Sequence, residues 1–211
     1  MKKETKAKKV IEILREMYPE AQCSLEYDGD PWRLLVAARL SAQCTDERVN
    51  IVCRPLFERF PTAVDMANGE LSEIEELVKP CGLFRTKAKS IKDASRIIVE
   101  DYDGRVPDTM EELLSLPGVG RKIANLLLGD VFGKGGIVAD THCMRITCRL
   151  GLCEKQDPLY VERTLDPIVP KNEQSDFCHR LVLFGRDICS ARSPKCSECR
   201  LKSEKICTFK G

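Results

Sequence analysis

The spacing of apolar residues is the feature of this 211-residue sequence that most restricts its fold. In nearly every patterned segment they recur at intervals of three and four, the period of an amphipathic helix rather than of a strand. With 43% apolar residues, the chain can bury a substantial core. The sequence therefore predicts an all-α protein. The expected helices cover residues 4–17, 32–42, 46–60, 63–66, 71–78, 86–99, 109–114, 121–132, 141–150, 159–168 and 173–185.

Several of these helices begin with residues that suit a helix start. Pro31 is suited to a first helical position. Ser72 and Glu75 have the spacing of a capping box. Asp140 precedes the helix at 141–150, where its carboxylate can accept backbone N–H groups.

The charges of the chain nearly cancel, since 34 Lys and Arg face 33 Asp and Glu for a net charge of +1. Whole-chain charge therefore does not indicate a nucleic-acid partner, and any such contact must come from local clusters. One cluster lies on the helix at 86–99. Its basic side chains form either a phosphate contact or an ordinary solvated helix surface: Lys87, Lys89, Lys92 and Arg96.

The N-terminal segment is lysine-rich and lacks the apolar stretch of a secretory signal, and no later apolar run is long enough to cross a membrane. We therefore expect a cytoplasmic protein without membrane association. In that compartment the twelve cysteines are not expected to form a disulfide framework. Eight scattered thiols are expected to act as small buried core residues: Cys23, Cys44, Cys53, Cys81, Cys143, Cys148, Cys153 and Cys178.

The other four cysteines cluster near the C-terminal end, with six, two and seven residues between neighbours. Four thiolates at such intervals suit either a [4Fe-4S] cluster or a structural zinc ion, and the spacing does not separate the two. Arg192 and Lys195 lie on the loop between them and provide a candidate phosphate contact. The predicted ligands are Cys189, Cys196, Cys199 and Cys207.

A glycine-containing connection, Leu116-Pro-Gly-Val-Gly120, joins two predicted helices. Gly118 and Gly120 permit positive φ and leave room for another molecule to approach the backbone. The amides of Val119, Gly120 and Arg121 would then point out of a helix N-terminus, which favours a phosphate. A bare G-x-G is more often a structural turn, but this longer motif predicts sequence-independent binding to a nucleic-acid backbone.

Three segments together resemble the endonuclease III family of helix-hairpin-helix DNA glycosylases. They are residues 116–125, residues 139–142 and residues 40–46. The resemblance extends over nearly the whole chain. It implies a two-lobed all-α fold with a helical-barrel domain at 25–134, which holds the hairpin at about 109–132. Residues 1–24 and 135–211 would form an iron-sulfur cluster domain with its cluster loop at 189–207, and the active site would lie in the cleft between the two domains.

The resemblance also implies a bifunctional DNA glycosylase and AP lyase of base-excision repair. Lys122 would attack C1′ of an oxidised pyrimidine nucleotide, and the resulting Schiff base would permit β-elimination of the 3′ phosphate. Arg121 and the helix N-terminus both disfavour the charged form of this lysine. Asp140 would be the catalytic carboxylate, which activates Lys122 and balances charge on the sugar. A phosphate-binding lysine and a simple helix cap are the alternative interpretations of these two residues.

The reacting nucleotide must be flipped out of the base stack before the reaction. The same resemblance implies which side chains would contact it and the opened duplex. Gln43 would fill the gap and Leu83 would act as a wedge. Asp46 would line the lesion pocket or cap a helix, and His142 would contact the DNA backbone or Asp140. The partner implied is double-stranded DNA with damaged bases or abasic sites, bound by a cytoplasmic, nucleoid-associated monomer.

The family carries a [4Fe-4S] cluster on four cysteines, which favours that group over zinc here. In this sequence the interval before Cys207 is two residues longer than in the family. Two competing functions are a mismatch or adenine glycosylase that does not cleave the strand and a non-catalytic DNA-binding module. Lys122 argues against the first, and the pair Lys122 and Asp140 argues against the second.

Overall fold

The computed structural model describes residues 1–210, and these contain helices and loops without a strand. The predicted all-α class is therefore correct. Two short 3-10 helices, Lys79–Cys81 and Lys171–Glu173, accompany twelve α-helices. The α-helices are α1 (Lys3–Met17), α2 (Pro31–Leu40), α3 (Asp46–Arg59), α4 (Ala63–Asn68), α5 (Leu71–Val78), α6 (Phe84–Asp101), α7 (Met110–Ser115), α8 (Arg121–Asp130), α9 (Thr141–Arg149), α10 (Pro158–Leu165), α11 (Gln174–Asp187) and α12 (Arg200–Ser203).

One compact unit combines Met1–Gln22 with the residues from Gly133 onward, so it is built from both ends of the chain. Helix α1 packs against α11 and α12, and α9 packs against α10 and α11. Their apolar faces close a single core. Its fully buried members include Val10, Leu14, Phe177, Leu181 and Phe184.

The second unit is the continuous segment Cys23–Phe132, which contains α2 to α8. Helix α2 is apolar on nearly every side and is buried among α3, α6 and α8. The Asp30 side chain caps it, and Pro31 occupies its first turn as predicted. Inside this unit the Trp32 indole Nε1 donates to Ser95 Oγ of α6 at 2.9 Å.

Some local predictions are wrong. Ser72 lies inside α5, whose N-cap is Glu70 without a side-chain cap, so the predicted capping box does not form. Helix α2 ends at Leu40, two residues before the predicted end, because the chain turns at 41–44. Helix α12 and the 3-10 helices were not predicted, since they are too short to show a period. Three of the eight thiols expected in the core are only half-buried: Cys23, Cys44 and Cys148.

Among residues 1–210, no helix combines the length and apolar character that crossing a membrane requires.

Candidate active site

The hairpin between α7 and α8 is anchored by two buried side chains, Leu116 and Val119. The Val119 amide donates to the Leu116 carbonyl at 3.1 Å and closes the turn. The prediction that this amide faces a ligand is therefore wrong. Gly118 has φ +80°, and a Cβ there would lie 2.5 Å from Arg39 Nε. This glycine is required by the packing of the protein itself.

Gly120 differs from Gly118 although both belong to the same turn. It is the N-cap of α8 with φ −101°, so any residue could adopt its backbone conformation. A Cβ there would meet no atom within 4 Å, and no side chain caps the helix. The N-terminus of α8 thus keeps an open, amide-lined surface of the kind that receives anions.

Lys122 is the second residue of α8 and its side chain is exposed. Within residues 1–210 its amine takes part in no hydrogen bond or ion pair. The next residues of the helix, Ile123 and Ala124, turn inward, and Ala124 is fully buried. The amine is therefore exposed on the first turn of a helix whose inner face is fixed in the core.

Asp140 is the N-cap of α9, and its Oδ1 accepts a hydrogen bond from the Cys143 amide at 2.7 Å. The predicted cap is confirmed. Because the cap holds one oxygen, the carboxylate has a fixed orientation at the start of α9. Two residues later, His142 Nδ1 lies 3.2 Å from Arg145 Nη2.

Asp46 is the first residue of α3 and is half-buried. The cap of this helix is the neighbouring Thr45, whose hydroxyl accepts from the Arg48 amide at 3.4 Å. The interpretation of Asp46 as the helix cap is therefore wrong. Its alternative, a residue that lines a substrate pocket, stays a prediction.

Gln43 and Leu83 share an unusual backbone state. Both have positive φ, +57° and +48° respectively, which is uncommon for residues with side chains. Both are exposed, and Leu83 leaves 60% of its surface open, more than an apolar side chain normally does. Strained, exposed residues of this kind cluster at functional sites.

Lys87 joins the segments that carry these two residues. It is fully buried, and its Nζ donates at 2.8 Å both to the carbonyl of Leu40 and to that of Cys81. Burial lowers the pKa of this lysine, against the opposing effect of the nearby Cys81 and Cys44 thiols. The interpretation of Lys87 as a surface charge is therefore wrong.

The other three basic residues of α6 each contact another group of the protein. Lys92 Nζ donates to the carbonyls of Ala67 and Gly69, each at 2.6 Å. Lys89 and Arg96 each pair with an acidic residue one turn later, at 2.8 and 2.6 Å. Lys92 is thus used inside the protein, whereas Lys89 and Arg96 lie in exposed ion pairs, as expected for a solvated helix surface; a phosphate contact of these two residues stays a prediction.

The four C-terminal cysteines line the same pocket. Among residues 1–210, no three His, Cys, Asp or Glu side chains are grouped closely enough to hold a metal ion. Apolar side chains complete the wall, among them Ile146, Phe184 and Phe209. The pocket brings together Cys189, Cys196, Cys199 and Cys207.

Arg149 organises this loop and was not found from the sequence. Its guanidinium donates to the carbonyls of Ser190 and Ala191 at 2.7 and 2.8 Å and lies 3.3 Å from Cys189 Sγ. It also stacks 4.5 Å above the ring of Phe209. Arg192 and Lys195 are exposed nearby, and Lys195 lies 3.8 Å from Asp187.

Comparison with known proteins identifies the family. Residues 36–171 match the model for "HhH-GPD superfamily base excision DNA repair protein". Endonuclease III of Synechocystis sp. is 49% identical over 94% of this chain and 91% of that protein. The chain belongs to the endonuclease III family. Endonuclease III of Bacillus subtilis is 45% identical over 92% of this chain and 88% of that protein.

Solved structures agree with this endonuclease III assignment. A trapped endonuclease III–DNA covalent intermediate is 40% identical with a TM-score of 0.90, over 99% of this chain and 97% of that one. A thermostable thymine-DNA glycosylase is 25% identical with a TM-score of 0.86, over 97% and 96%. The expected helix-hairpin-helix glycosylase fold is thereby confirmed. As a member of the endonuclease III family, the chain is a base-excision repair enzyme, a DNA glycosylase with AP lyase activity.

Proposed function

We propose that this enzyme removes oxidised pyrimidines from duplex DNA with Lys122 as nucleophile, and cleaves the strand 3′ to the abasic site. The observation that carries the proposal is the open amine of Lys122 on the first turn of the hairpin helix. The trapped covalent intermediate formed by a 40% identical endonuclease III supports it, since covalent chemistry requires such a nucleophile.

The proposed reaction begins with the neutral amine of Lys122, which attacks C1′ as the base leaves with a proton. The C1′–O4′ bond then breaks and O4′ takes up a proton from water, which opens the sugar ring and leaves a protonated Schiff base between Nζ and C1′. Loss of a proton from C2′ then expels the 3′ phosphate by β-elimination, and water hydrolyses the imine to regenerate the amine. Lys122 must lose its own proton first, so its protonation state is part of the mechanism.

We assign to Asp140 the role of the carboxylate that balances positive charge on the sugar and assists proton transfer at Lys122. The cap on α9 supports this assignment, because the hydrogen bond from the Cys143 amide holds the carboxylate in one orientation. A preorganised charge is more effective than one that must reorient during the reaction.

We further propose that the protein grips the DNA backbone through the hairpin and uses exposed side chains to hold the duplex open. Gln43 fills the gap and Leu83 wedges into the stack, which accounts for their exposure. Asp46 lines the lesion pocket. The backbone contacts are Gly118, Gly120, Arg121, His142, Arg192 and Lys195.

We propose a [4Fe-4S] cluster on Cys189, Cys196, Cys199 and Cys207. The donor set fits this group, since four thiols line one pocket together with apolar side chains and with the basic residues Arg149, Lys195 and Lys202, whose charge suits thiolate ligands. The unit built from both chain ends would then be the cluster domain. When bound, the cluster would cross-link the loop and fix the shape of the segment that carries Arg192 and Lys195.

Borohydride reduction in the presence of duplex DNA with an oxidised pyrimidine or an abasic site tests the nucleophile. We expect a covalent protein–DNA adduct with the wild-type enzyme and none with Lys122→Ala. Lys122→Arg is the matched variant, because it keeps the positive charge but cannot form a Schiff base. If Lys122→Arg retained adduct and strand cleavage, another amine would be the nucleophile. Base release without adduct in the wild type would favour a monofunctional glycosylase.

Metal analysis tests the cofactor. We expect iron and inorganic sulfide with a broad visible absorbance, and Cys196→Ser should reduce both. A colourless protein that contains zinc would contradict the cluster and leave the enzymatic assignment intact.

A further inference from the structure

We propose that Lys87 is a positioning residue that sets Gln43 and Leu83 at the separation needed to enter the DNA stack. The proposal rests on the function assigned above to these two residues. Lys87 touches neither the substrate nor the reacting atoms, and would act only through the two loops.

The geometry that carries the proposal is one ammonium group shared by two loop ends. Leu40 is the last residue of α2, three positions before Gln43, and Cys81 ends a 3-10 helix two positions before Leu83. Lys87 Nζ lies 2.8 Å from both carbonyls. The Lys87 backbone amide also donates to the Leu83 carbonyl at 3.0 Å. One residue therefore fixes both loops relative to α6.

Burial makes this link difficult to replace. A buried ammonium group must donate its hydrogen bonds within the protein. The carbonyls at the two helix ends also need donors, and because Leu40 and Cys81 are buried, water cannot supply them. The strained φ angles of Gln43 and Leu83 persist only where surrounding contacts define them. Removal of the Lys87 donors would release both loops at once.

The link continues to the hairpin. Ser90, one turn after Lys87, accepts a hydrogen bond from Arg39 Nε at 2.8 Å and donates to the Lys87 carbonyl at 2.9 Å. Arg39 and Ser90 are the side chains against which Gly118 packs. The start of α6 thus supports three segments with proposed DNA contacts.

The experiment compares Lys87→Met with Lys92→Met in the full-length enzyme. Lys92 is a matched control, because it lies on the same helix and also donates to two carbonyls, but those belong to the last turn of α4 and the residue that ends it. The substrate is a duplex with an abasic site opposite 2-aminopurine, whose fluorescence reports unstacking of the opposite base. Strand cleavage and affinity for undamaged duplex are measured in parallel.

We expect Lys87→Met to abolish the fluorescence rise and to lower strand cleavage by about tenfold or more, because small displacements of positioned groups have large effects on rate. Affinity for undamaged duplex should stay within about twofold, since it depends mainly on backbone contacts. Lys92→Met should retain fluorescence and cleavage. In a Gln43→Ala, Leu83→Ala background, Lys87→Met should cause no further loss.

Equal behaviour of the two lysine variants would overturn the inference, and so would a loss that is fully additive with the Gln43 and Leu83 substitutions. If those substitutions alone had no effect, the role proposed for Gln43 and Leu83 would fail, and this inference with it. Thermal melting establishes that the variants are folded. Should Lys87→Met not fold, Lys87→Gln, which retains an amide donor, is judged by the same readouts.

Discussion

We expect the two glycines of the hairpin to respond differently to substitution by alanine. In Gly118→Ala the new Cβ would lie 2.5 Å from Arg39 Nε and 2.9 Å from Ser90 Cβ at a φ of +80°. In Gly120→Ala the Cβ would meet nothing within 4 Å, and φ is already negative. We therefore expect a loss of stability in the first variant and a nearly unchanged free energy of unfolding in the second.

The cost for Gly118→Ala can be worked from these contacts. A left-handed conformation costs an alanine about 1–2 kcal/mol. Displacement of Arg39 breaks its hydrogen bond to Ser90, a charged donor whose loss costs about 1.5–3 kcal/mol. Alanine also restricts the unfolded chain more than glycine does, which offsets about 0.4–1 kcal/mol of this destabilisation. The net destabilisation is about 2–4 kcal/mol, or roughly 5–15 °C in melting temperature for a chain of this size.

Urea denaturation followed by circular dichroism measures both variants, and binding to undamaged duplex DNA is measured on the folded proteins. Gly120→Ala should keep its stability to within about 1 kcal/mol, because a weaker cap offsets the gain from the unfolded state. It should nevertheless bind DNA more weakly, since its methyl group occupies the open surface. Equal stabilities for the two alanine variants would refute the packing argument, and unchanged binding in Gly120→Ala would refute the open-surface argument.

Other predictions follow from single contacts. Asp140→Ala should lose about 0.5–2 kcal/mol of stability with the cap, whereas Asp140→Asn should keep the stability and still lose strand cleavage; an active Asn variant would contradict the catalytic role. Arg149→Gln should accelerate loss of visible absorbance under a chelator, because it frees the Ser190–Ala191 segment; equal bleaching rates would argue against this. Burial raises the pKa of Cys53 from 9.0 to about 12, so the folded state holds this proton more tightly. The free energy of unfolding should therefore fall as pH rises above 9, and less steeply in Cys53→Ala; identical slopes in urea titrations would rule out this thiol.

Helical periodicity predicted the fold class and most elements because each long helix buries one face, and that face is visible in the sequence. Caps that depend on one side chain, such as Asp140, were also predictable. Ser72 failed as a cap because the same spacing occurs inside a helix, where the backbone amide is already bonded. Helix α12, at four residues, is too short to carry a period.

The site was less predictable where a charged residue acts inside the protein. Lys87 was grouped with the surface charges of α6, although it shares a face with Ile91, Ala94 and Ile98 at helical spacing. That spacing was the available signal of burial. The positive φ of Gln43 and Leu83 left no such signal, because it depends on contacts between segments far apart in the chain. Arg149 was missed for the same reason.

Because one unit is made from both chain ends, it can fold only late in synthesis. Helix α1 ends at Met17, but its partner α11 begins only at Gln174. At ribosomal speeds the apolar face with Val10 and Leu14 waits on the order of ten to thirty seconds for that partner. The continuous segment Cys23–Phe132 has all of its own helices by then. We therefore expect a nascent chain in which the hairpin segment folds early while α1 depends on chaperones or transient contacts for protection.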